Sequence, residues 1–474
     1  MSNQAANGTV AQRIAAFTAA LRFEDVPAAV VESVRMRITD TLGIAKAATA
    51  VDHLRPVWEL VLSGGGAQEA STLLADARIP AANAAFVGGL LSHALDYDDT
   101  HLPSILHPSA ILVPAALAAA ELAGATGAET ITALAAGYEI LVRLGMAAYD
   151  PVIKNSVYFE KGLHATSICG TVAAAAVASR LLGGSAKQIA DAMGVAGSMG
   201  AGLLEANRTG GTVKRIHGAW ACHSAIWAAR LANAGISGPP TLFEGRFGYF
   251  YYLLGDAALT VDPANGLGEE WETPGIFFKP YPVNHFIHTA IDAARTIRER
   301  ATLPWQRIER IDLGVAGATL RTIAEPRAAK VRPESGYAAR FSAPFTVATA
   351  LLSSGHGLGL DLEDFEDAAV TDPDRLALAE RVHCYADREC EALFPHQFPC
   401  RLTVRYDDGS TIEEWVPTNR GGSARPLSED EVLQKFRSNV ARAANGRDFS
   451  LAESYLASLE QLDEVRPLLM ALGT

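Results

Sequence analysis

The segment LSHALDYDDTHLPSILHPS, residues 91–109, places three carboxylates, three histidines and several hydroxyl groups between two strongly apolar segments. Polar groups at the border of a core cost free energy unless they are paired or serve a function. On both sides, at residues 81–94 and 109–123, Ala, Leu and Val recur with the spacing of a helix. We therefore expect a buried helix on each side and the beginning of an active site between them.

The same helical spacing continues from about residue 10 to residue 271, with glycine-containing breaks between the segments. One helix is predicted to begin near Pro27, with Asp25 as its N-cap and Gly43 as a weak point further on. Small residues dominate and allow helix backbones to approach closely, which predicts a compact body of many helices. Further helices are predicted at residues 129–149, 164–182, 186–204 and 217–234.

The pattern changes after residue 271. Residues 307–315 and 381–385 alternate as strands do, and two alternating runs, 400–406 and 411–416, flank an Asp-Gly turn that predicts a β-hairpin. Helical spacing returns between these strands, at 288–300 and 343–353. The predicted fold class is mainly α: a large all-helical domain at residues 1–273, a smaller α+β domain at 274–417, and C-terminal helices at 418–474 that return to the first domain.

The composition narrows the possible functions. The 474 residues are 49% hydrophobic and 20% charged, with a net charge of -13, which is typical of a soluble globular protein without a nucleic-acid surface. The five cysteines form no Cys-x-x-Cys pair, so neither a disulfide framework nor a zinc site is predicted. The N-terminus lacks the apolar core of a signal peptide, and no apolar run reaches the ~20 residues of a membrane span. We expect a cytoplasmic protein with no membrane partner.

The aspartates of the opening segment have more than one interpretation. Asp96, Asp98 and Asp99 could be helix caps in a solvated turn, or part of an active site with Thr100 and His107. An aspartate cluster beside histidines can also bind magnesium. That alternative requires a second acidic cluster on a facing helix, which the first predicted domain does not offer.

Three other places in the sequence contain candidate catalytic or binding residues. His164 precedes a long uncharged helix whose dipole disfavours protonation, so it is predicted as a neutral imidazole, with a capping role as the alternative. Lys214 and Arg215 lie in a basic loop, residues 207–218, which is either a carboxylate-binding loop or a solvated one. Lys279 lies among aromatic and proline residues. These residues either desolvate its ammonium group and favour the neutral amine, which can act as a base, or the long side chain runs along them and keeps its ammonium group in solvent.

Several short motifs follow one another along the chain: DTLG at 40–43, DDT and HPS within 96–109, GLHAT at 162–166, KRIH at 214–217 and FKPYP at 278–282. Taken in this order, they resemble the MmgE/PrpD family, which includes 2-methylcitrate dehydratase, cis-aconitate decarboxylase and iminodisuccinate epimerase. The resemblance implies a helical domain with a smaller α+β lid and a cleft between them. It also implies a homodimer and chemistry without metal or cofactor on a small di- or tricarboxylate.

The resemblance also assigns site residues, motif by motif. A further family position, often tyrosine, falls at Phe345, and Tyr158 could supply a phenol from another direction. The predicted catalytic residues are His164, Lys279, His107 and Asp96, and the predicted substrate-binding residues are Thr100, Lys214, Arg215 and Tyr158. In this assignment cations hold the substrate carboxylates, Asp96 and Thr100 orient His107, and His164 and Lys279 transfer protons.

The reactions of the family share proton transfer at a carbon next to a carboxylate. That step needs a positioned base and cations that stabilise enolate-like charge. We favour a lyase, either a dehydratase or a decarboxylase. An epimerase or isomerase of a dicarboxylate such as iminodisuccinate is the alternative, and a non-catalytic ligand-binding member is a third hypothesis.

Overall fold

A computed structural model describes residues 8–73, 77–206, 211–255, 261–353, 355, 357–443 and 446–473. The fold is mainly α with small sheets, as the sequence predicts. The chain forms two compact units. The first contains Met1–Ile276 and Phe436–Thr474, and the second contains Phe277–Lys435.

The first unit is built from helices and two short hairpins of two-residue strands. Its helices up to residue 276 are α1 (Val10–Ala20), α2 (Ala28–Ala48), α3 (Arg55–Ser63), α4 (Ala81–His93), α5 (Ser109–Ala123), α6 (Gly127–Met146), α7 (Val157–Glu160), α8 (Ala165–Leu181), α9 (Ala186–Ala196), α10 (Lys214–Asn233) and α11 (Tyr249–Leu254). Its strands are β1 (Ala70–Ser71), β2 (Arg78–Ile79), β3 (Tyr149–Asp150) and β4 (Asn155–Ser156). None of the described helices is long and apolar enough to cross a bilayer.

Small residues set the spacing of the central helices. Where α4 packs against α10, a Cβ atom built on Gly89 would lie 2.8 Å from Cys222 Sγ and 2.9 Å from the carbonyl oxygen of Gly218. The two backbones can therefore approach only because both positions are glycine. This contact fixes the distance between the end of α4, which carries His93, and the first turns of α10, which carry Lys214 and His217.

Several predicted helix ends are wrong. Asp25 belongs to a separate 3₁₀ turn, and Pro27 is itself the N-cap of α2. Gly43 does not interrupt α2, because its missing side chain makes room for Phe436, whose Cα would lie 3.1 Å from a Cβ at that position. The helix predicted at 186–204 ends at Ala196.

The second unit contains a four-stranded sheet, and the predicted hairpin is confirmed. The strands are β5 (Ile308–Val315), β6 (Val382–Ala386), β7 (Cys400–Tyr406) and β8 (Thr411–Val416), in the spatial order β6-β5-β7-β8. Leu313 of β5 pairs in parallel with Cys384 and antiparallel with Leu402, and Leu402 pairs with Glu414 of β8. The alternation of buried and exposed residues along β7 indicates that one face of the sheet is in the core.

The second unit also contains helices, several of which pack on the buried face of this sheet. They are α12 (His288–Arg300), α13 (Gly317–Ile323), α14 (Arg327–Val331), α15 (Gly336–Ala339), α16 (Ala343–Leu352), α17 (Pro373–Ala379) and α18 (Arg388–Leu393). Ile291 and Ile297 of α12 pack in one core with Leu313 and Leu402 of the sheet and with Phe345 of α16. The chain returns to the first unit within α19 (Glu429–Ala441) and ends with α20 (Ser450–Ala457) and α21 (Arg466–Leu472).

We predict that Gly89→Ala destabilises the first unit by about 1–3 kcal/mol, because the new methyl group meets Cys222 and backbone atoms that cannot move aside easily. Guanidinium unfolding followed by circular dichroism measures this change. Gly275→Ala is the matched control, since a Cβ there meets no atom within 4 Å. Equal stability of the two variants would contradict the packing argument.

Candidate active site

The segment between α4 and α5 is held in an unusual conformation. Asp96 and Ile105 have φ angles of 53° and 56°, in the left-handed region that residues other than glycine seldom adopt. His101 and Leu106 are joined by backbone hydrogen bonds, and His101 Nδ1 lies 2.6 Å from Ser104 Oγ. Such backbone strain persists where the surroundings fix it, as they commonly do at functional sites.

Asp99 serves the structure of this segment. Its carboxylate accepts hydrogen bonds from Arg37 Nη1 at 2.7 Å, from the backbone of Ser109 at 2.9 Å and from Ser109 Oγ at 2.5 Å. Arg37 and Asp99 are each only 1% exposed, and Arg37 also donates to the carbonyl oxygens of Thr273 and Ile276. The pair therefore ties α2, the segment after α4 and the first turn of α5 together.

Asp98, the next residue back, faces two imidazoles instead. One of its oxygens lies 2.7 Å from His93 Nδ1 and 3.6 Å from His107 Nδ1. His107 Nδ1 donates to the carbonyl oxygen of Asp99 at 2.9 Å and lies 3.4 Å from Thr100 Oγ1. The ring of His107 is thus oriented from its Nδ1 side.

His164 lies directly before α8, at its N-cap position, and its backbone N–H donates to the carbonyl oxygen of Gly202. The pKa of His164 is held well below the usual 6.5 by burial, followed by the effects of His93, Lys214 and the other nearby histidines. The N-terminal end of the helix dipole acts in the same direction. The ring is therefore neutral near pH 7, with one nitrogen protonated and the other able to accept a proton.

Four histidines form what we call the imidazole cluster: His93, His107, His164 and His217. The ring centroids are 5.3 Å apart for His93 and His107, 5.5 Å for His93 and His164, and 5.1 Å for His164 and His217. Burial, with His93 and Lys214 nearby, lowers the pKa of His217 to about 4.

The sequence analysis missed His93 and His217 as site residues. Spacing gives a signal for His217, which follows Lys214 by three residues on α10 and so lies on a neighbouring face of that helix.

A small cavity of about 40 Å³ brings three of the predicted residues together: His107, His164 and Lys214. Lys214 is the first residue of α10, and its Nζ lies 3.6 Å from Asp96 Oδ1. A cation at a helix N-terminus is disfavoured by the dipole, so the Asp96 carboxylate stabilises it there. Among the described residues, those that line the cavity are Ser104, Ile105, His107, Phe159, Leu163, His164, Ala165, Leu204 and Lys214.

The other predicted residues have different surroundings. Arg215 contacts His53 through its guanidinium group. Tyr158 is buried beside Cys169 and Tyr249, and burial, followed by the effect of Cys169, raises its pKa well above 10.0. Neither residue is among the described residues that line the cavity, so their roles in substrate binding stay predictions.

Two predicted parts of the site lie elsewhere in the chain. Lys279 belongs to the second unit, where it is 1% exposed and its carbonyl oxygen accepts a hydrogen bond from Lys435 Nζ at 2.8 Å. Its catalytic role stays a prediction. Residues 207–210 of the basic loop lie outside the described residues. Within the described ranges, no three His, Cys, Asp or Glu side chains are grouped as a metal ion would require.

The fold and the site define a class of protein. The family model of the MmgE/PrpD N-terminal domain matches residues 12–262, and that of the MmgE/PrpD C-terminal domain matches residues 281–455. The chain belongs to the MmgE/PrpD family, as the motifs predicted.

Several proteins similar to this chain carry the name cis-aconitate decarboxylase or cis-aconitate decarboxylase-like protein. The chain is 28% identical to human cis-aconitate decarboxylase, over 92% of this chain and 88% of that protein. It is 25% identical to the cis-aconitate decarboxylase-like protein oryM of Aspergillus oryzae, over 98% of this chain and 97% of that protein. It is 24% identical to cis-aconitate decarboxylase of Aspergillus terreus, over 99% and 96% respectively.

We predict that Asp99→Ala lowers the free energy of unfolding by about 3–5 kcal/mol, because it leaves the Arg37 guanidinium buried without its carboxylate. Guanidinium unfolding measures the loss. The control is Asp25→Ala, which breaks a solvent-exposed ion pair with Arg22 and should leave the free energy of unfolding nearly unchanged. A small effect at Asp99 would show that the buried pair is not needed for the fold.

The low pKa of His217 predicts a dependence of stability on pH. Between about pH 4 and 6.5 the unfolded chain binds a proton at this histidine and the folded chain does not, so stability falls as pH falls through this range. His217→Phe should reduce the slope of unfolding free energy against pH by about 1 kcal/mol per pH unit. Urea unfolding at a series of pH values tests this, with Gly275→Ala as a control whose slope should match the wild type.

Proposed function

We propose that this protein is a lyase that decarboxylates a small unsaturated tricarboxylate of the cis-aconitate type. The observation that carries the proposal is the meeting of one ammonium group, Lys214, with two imidazoles, His107 and His164, in one buried cavity. The similarity to cis-aconitate decarboxylases over nearly the whole chain supports the same reaction class. We further propose that the enzyme works without a metal or cofactor and as a homodimer, as the family resemblance implies.

Decarboxylation places two demands on such a site. The C–C bond to the departing carboxylate breaks, CO₂ leaves, and the electron pair remains on the organic fragment. In an unsaturated substrate that pair forms a new double bond while the original double bond shifts its electrons to a carbon next to a remaining carboxylate, where a proton is taken up. The site must therefore stabilise enolate-like charge and deliver a proton.

Lys214 and His107 suit the binding of the remaining carboxylates. The Lys214 ammonium is a point charge that can approach a carboxylate, and its pairing with Asp96 keeps it in position. His107 is fixed through Nδ1 by the Asp99 carbonyl oxygen, so Nε2 can donate to a substrate only when the ring is protonated. The Asp98 carboxylate, 3.6 Å from that ring, would stabilise the protonated form.

His164 suits the proton transfer. It lines the cavity, it is neutral, and its Nε2 is buried without a hydrogen-bond partner among the described residues. A substrate carbon or oxygen in the cavity would therefore meet a ring nitrogen that is not already engaged. Lys279 is proposed as a second proton-transfer residue because it lies in the family motif FKPYP.

We predict that the purified full chain, followed by proton NMR in D₂O, converts cis-aconitate to a product with new vinyl signals and one carbon-bound deuterium. His164→Gln should lower the rate by about 10²–10⁴-fold, as expected for loss of a general acid or base. Lys279→Ala should likewise abolish turnover with the fold intact. His223→Gln is the matched control, because His223 lies on the same helix as Lys214 but packs against Phe86 and Trp220.

Parallel incubations with 2-methylcitrate and iminodisuccinate separate the alternatives. Elimination of water from 2-methylcitrate would indicate a dehydratase. Loss of a C–H signal without a new compound would indicate an epimerase or isomerase. Unchanged NMR spectra with all three compounds would contradict the proposed reaction. Near-full activity of His164→Gln would show that His164 does not transfer the proton.

A further inference from the structure

We propose that His217 is a positioning residue that sets which ring nitrogen of His164 carries the proton. The two side chains meet through like atoms, because His164 Nδ1 lies 3.0 Å from His217 Nδ1. The inference deepens the proposed function, since it concerns the residue given the proton transfer, but its spectroscopic test needs no substrate.

A hydrogen bond between two ring nitrogens requires one proton between them. Both rings are neutral near pH 7, because burial and the neighbouring cationic and imidazole groups disfavour a charge on either. A neutral imidazole has one N–H and one bare nitrogen. If His164 donates from Nδ1, its Nε2 is bare and acts as a base, and if His217 donates from Nδ1, the Nε2 of His164 carries a proton and acts as an acid. The two tautomers are therefore complementary.

The surrounding structure holds this contact in place. Ser167 Oγ donates to the carbonyl oxygen of His217 at 3.0 Å and lies 2.6 Å from that of Ala201. The backbone N–H of His164 donates to the carbonyl oxygen of Gly202 at 3.0 Å. A Cβ on Gly202 would lie 3.0 Å from the Cβ of His164 and 3.3 Å from His217 Nδ1, so only glycine leaves the two rings at their observed distance.

In this arrangement His164 can also transfer a proton to His217. When Nε2 takes a proton from a ligand, Nδ1 can release its own to His217 Nδ1, so that His164 ends neutral with the proton on Nε2 and the charge resides on His217. Delivery of a proton to the ligand is the reverse. His217 does not line the cavity among the described residues, so it acts through His164. His217 thus orients His164, the general acid or base, in the way that a third residue orients the base of a catalytic triad.

The first test uses the ligand-free full chain labelled with ¹⁵N at histidine, at pH 7.5. Long-range ¹⁵N–¹H NMR distinguishes protonated from bare ring nitrogens, and His164→Gln and His217→Phe assign the two rings. We expect complementary tautomers, with one ring protonated at Nδ1 and the other at Nε2. Two rings protonated at the same position, or a doubly protonated ring, would overturn the proposal. So would an unchanged His164 tautomer in His217→Phe.

The second test is kinetic and uses whichever carboxylate the enzyme turns over. His217→Phe should lower kcat by about 10²-fold with KM changed less than about threefold, because the lost contact tunes an acid or base and does not touch the substrate. His217→Asn, which keeps a donor and an acceptor near the former Nδ1, should recover most of kcat. His223→Phe on the same helix should retain full activity. A rise in KM alone, or equal rates for the Phe and Asn variants, would contradict the proposal.

Discussion

The buried ion pair of Arg37 and Asp99 is the interaction on which the site depends. Two charges that are each 1% exposed are stabilised by one another and by further hydrogen bonds, which here join Arg37 to two carbonyl oxygens and Asp99 to Ser109. The network fixes the start of α5 and the end of the preceding segment. His107, whose Nδ1 donates to the carbonyl oxygen of Asp99, is oriented within that frame.

Adjacent carboxylates in this segment have divided roles. Asp99 turns toward Arg37 and stabilises the fold, whereas Asp98 turns toward His93 and His107, and Asp96 pairs with Lys214. A short polar segment between two apolar helices can thus serve both structure and chemistry. The cluster as a whole resembled a possible magnesium site in the sequence, but its carboxylates face separate cationic or imidazole partners.

Local patterns predicted much of the fold. The alternation of 400–406 and 411–416 around Asp-Gly is a short-range signal, and the hairpin forms with those bounds. The Ala-rich helices were equally clear because their spacing repeats over many residues. The errors at Pro27 and Gly43 arose because a cap and a helix interruption depend on what packs nearby, and Phe436, which fits against Gly43, is almost four hundred residues away in sequence.

The site was harder to predict, since its geometry depends on contacts between distant segments. The motifs identified His107, His164 and Lys214, which do meet in the cavity. His217 lies within one of these motifs, but the contacts of His93 and His217 with His164 depend on the packing of α4 and α10 against α8. No spacing rule distinguishes Asp98 from Asp99 either. Their partners are decided by which way the backbone turns after Asp96.

The size of the cavity bears on how quickly and how tightly a ligand can bind. A volume of about 40 Å³ has room for about three water molecules, far less than a tricarboxylate occupies. A conformation that holds a tricarboxylate is therefore wider at this place than the described one. Where such a wider conformation is a minor part of the population, the apparent dissociation constant exceeds the intrinsic one by the inverse of its fraction, so substitutions that change this equilibrium alter affinity without touching the ligand.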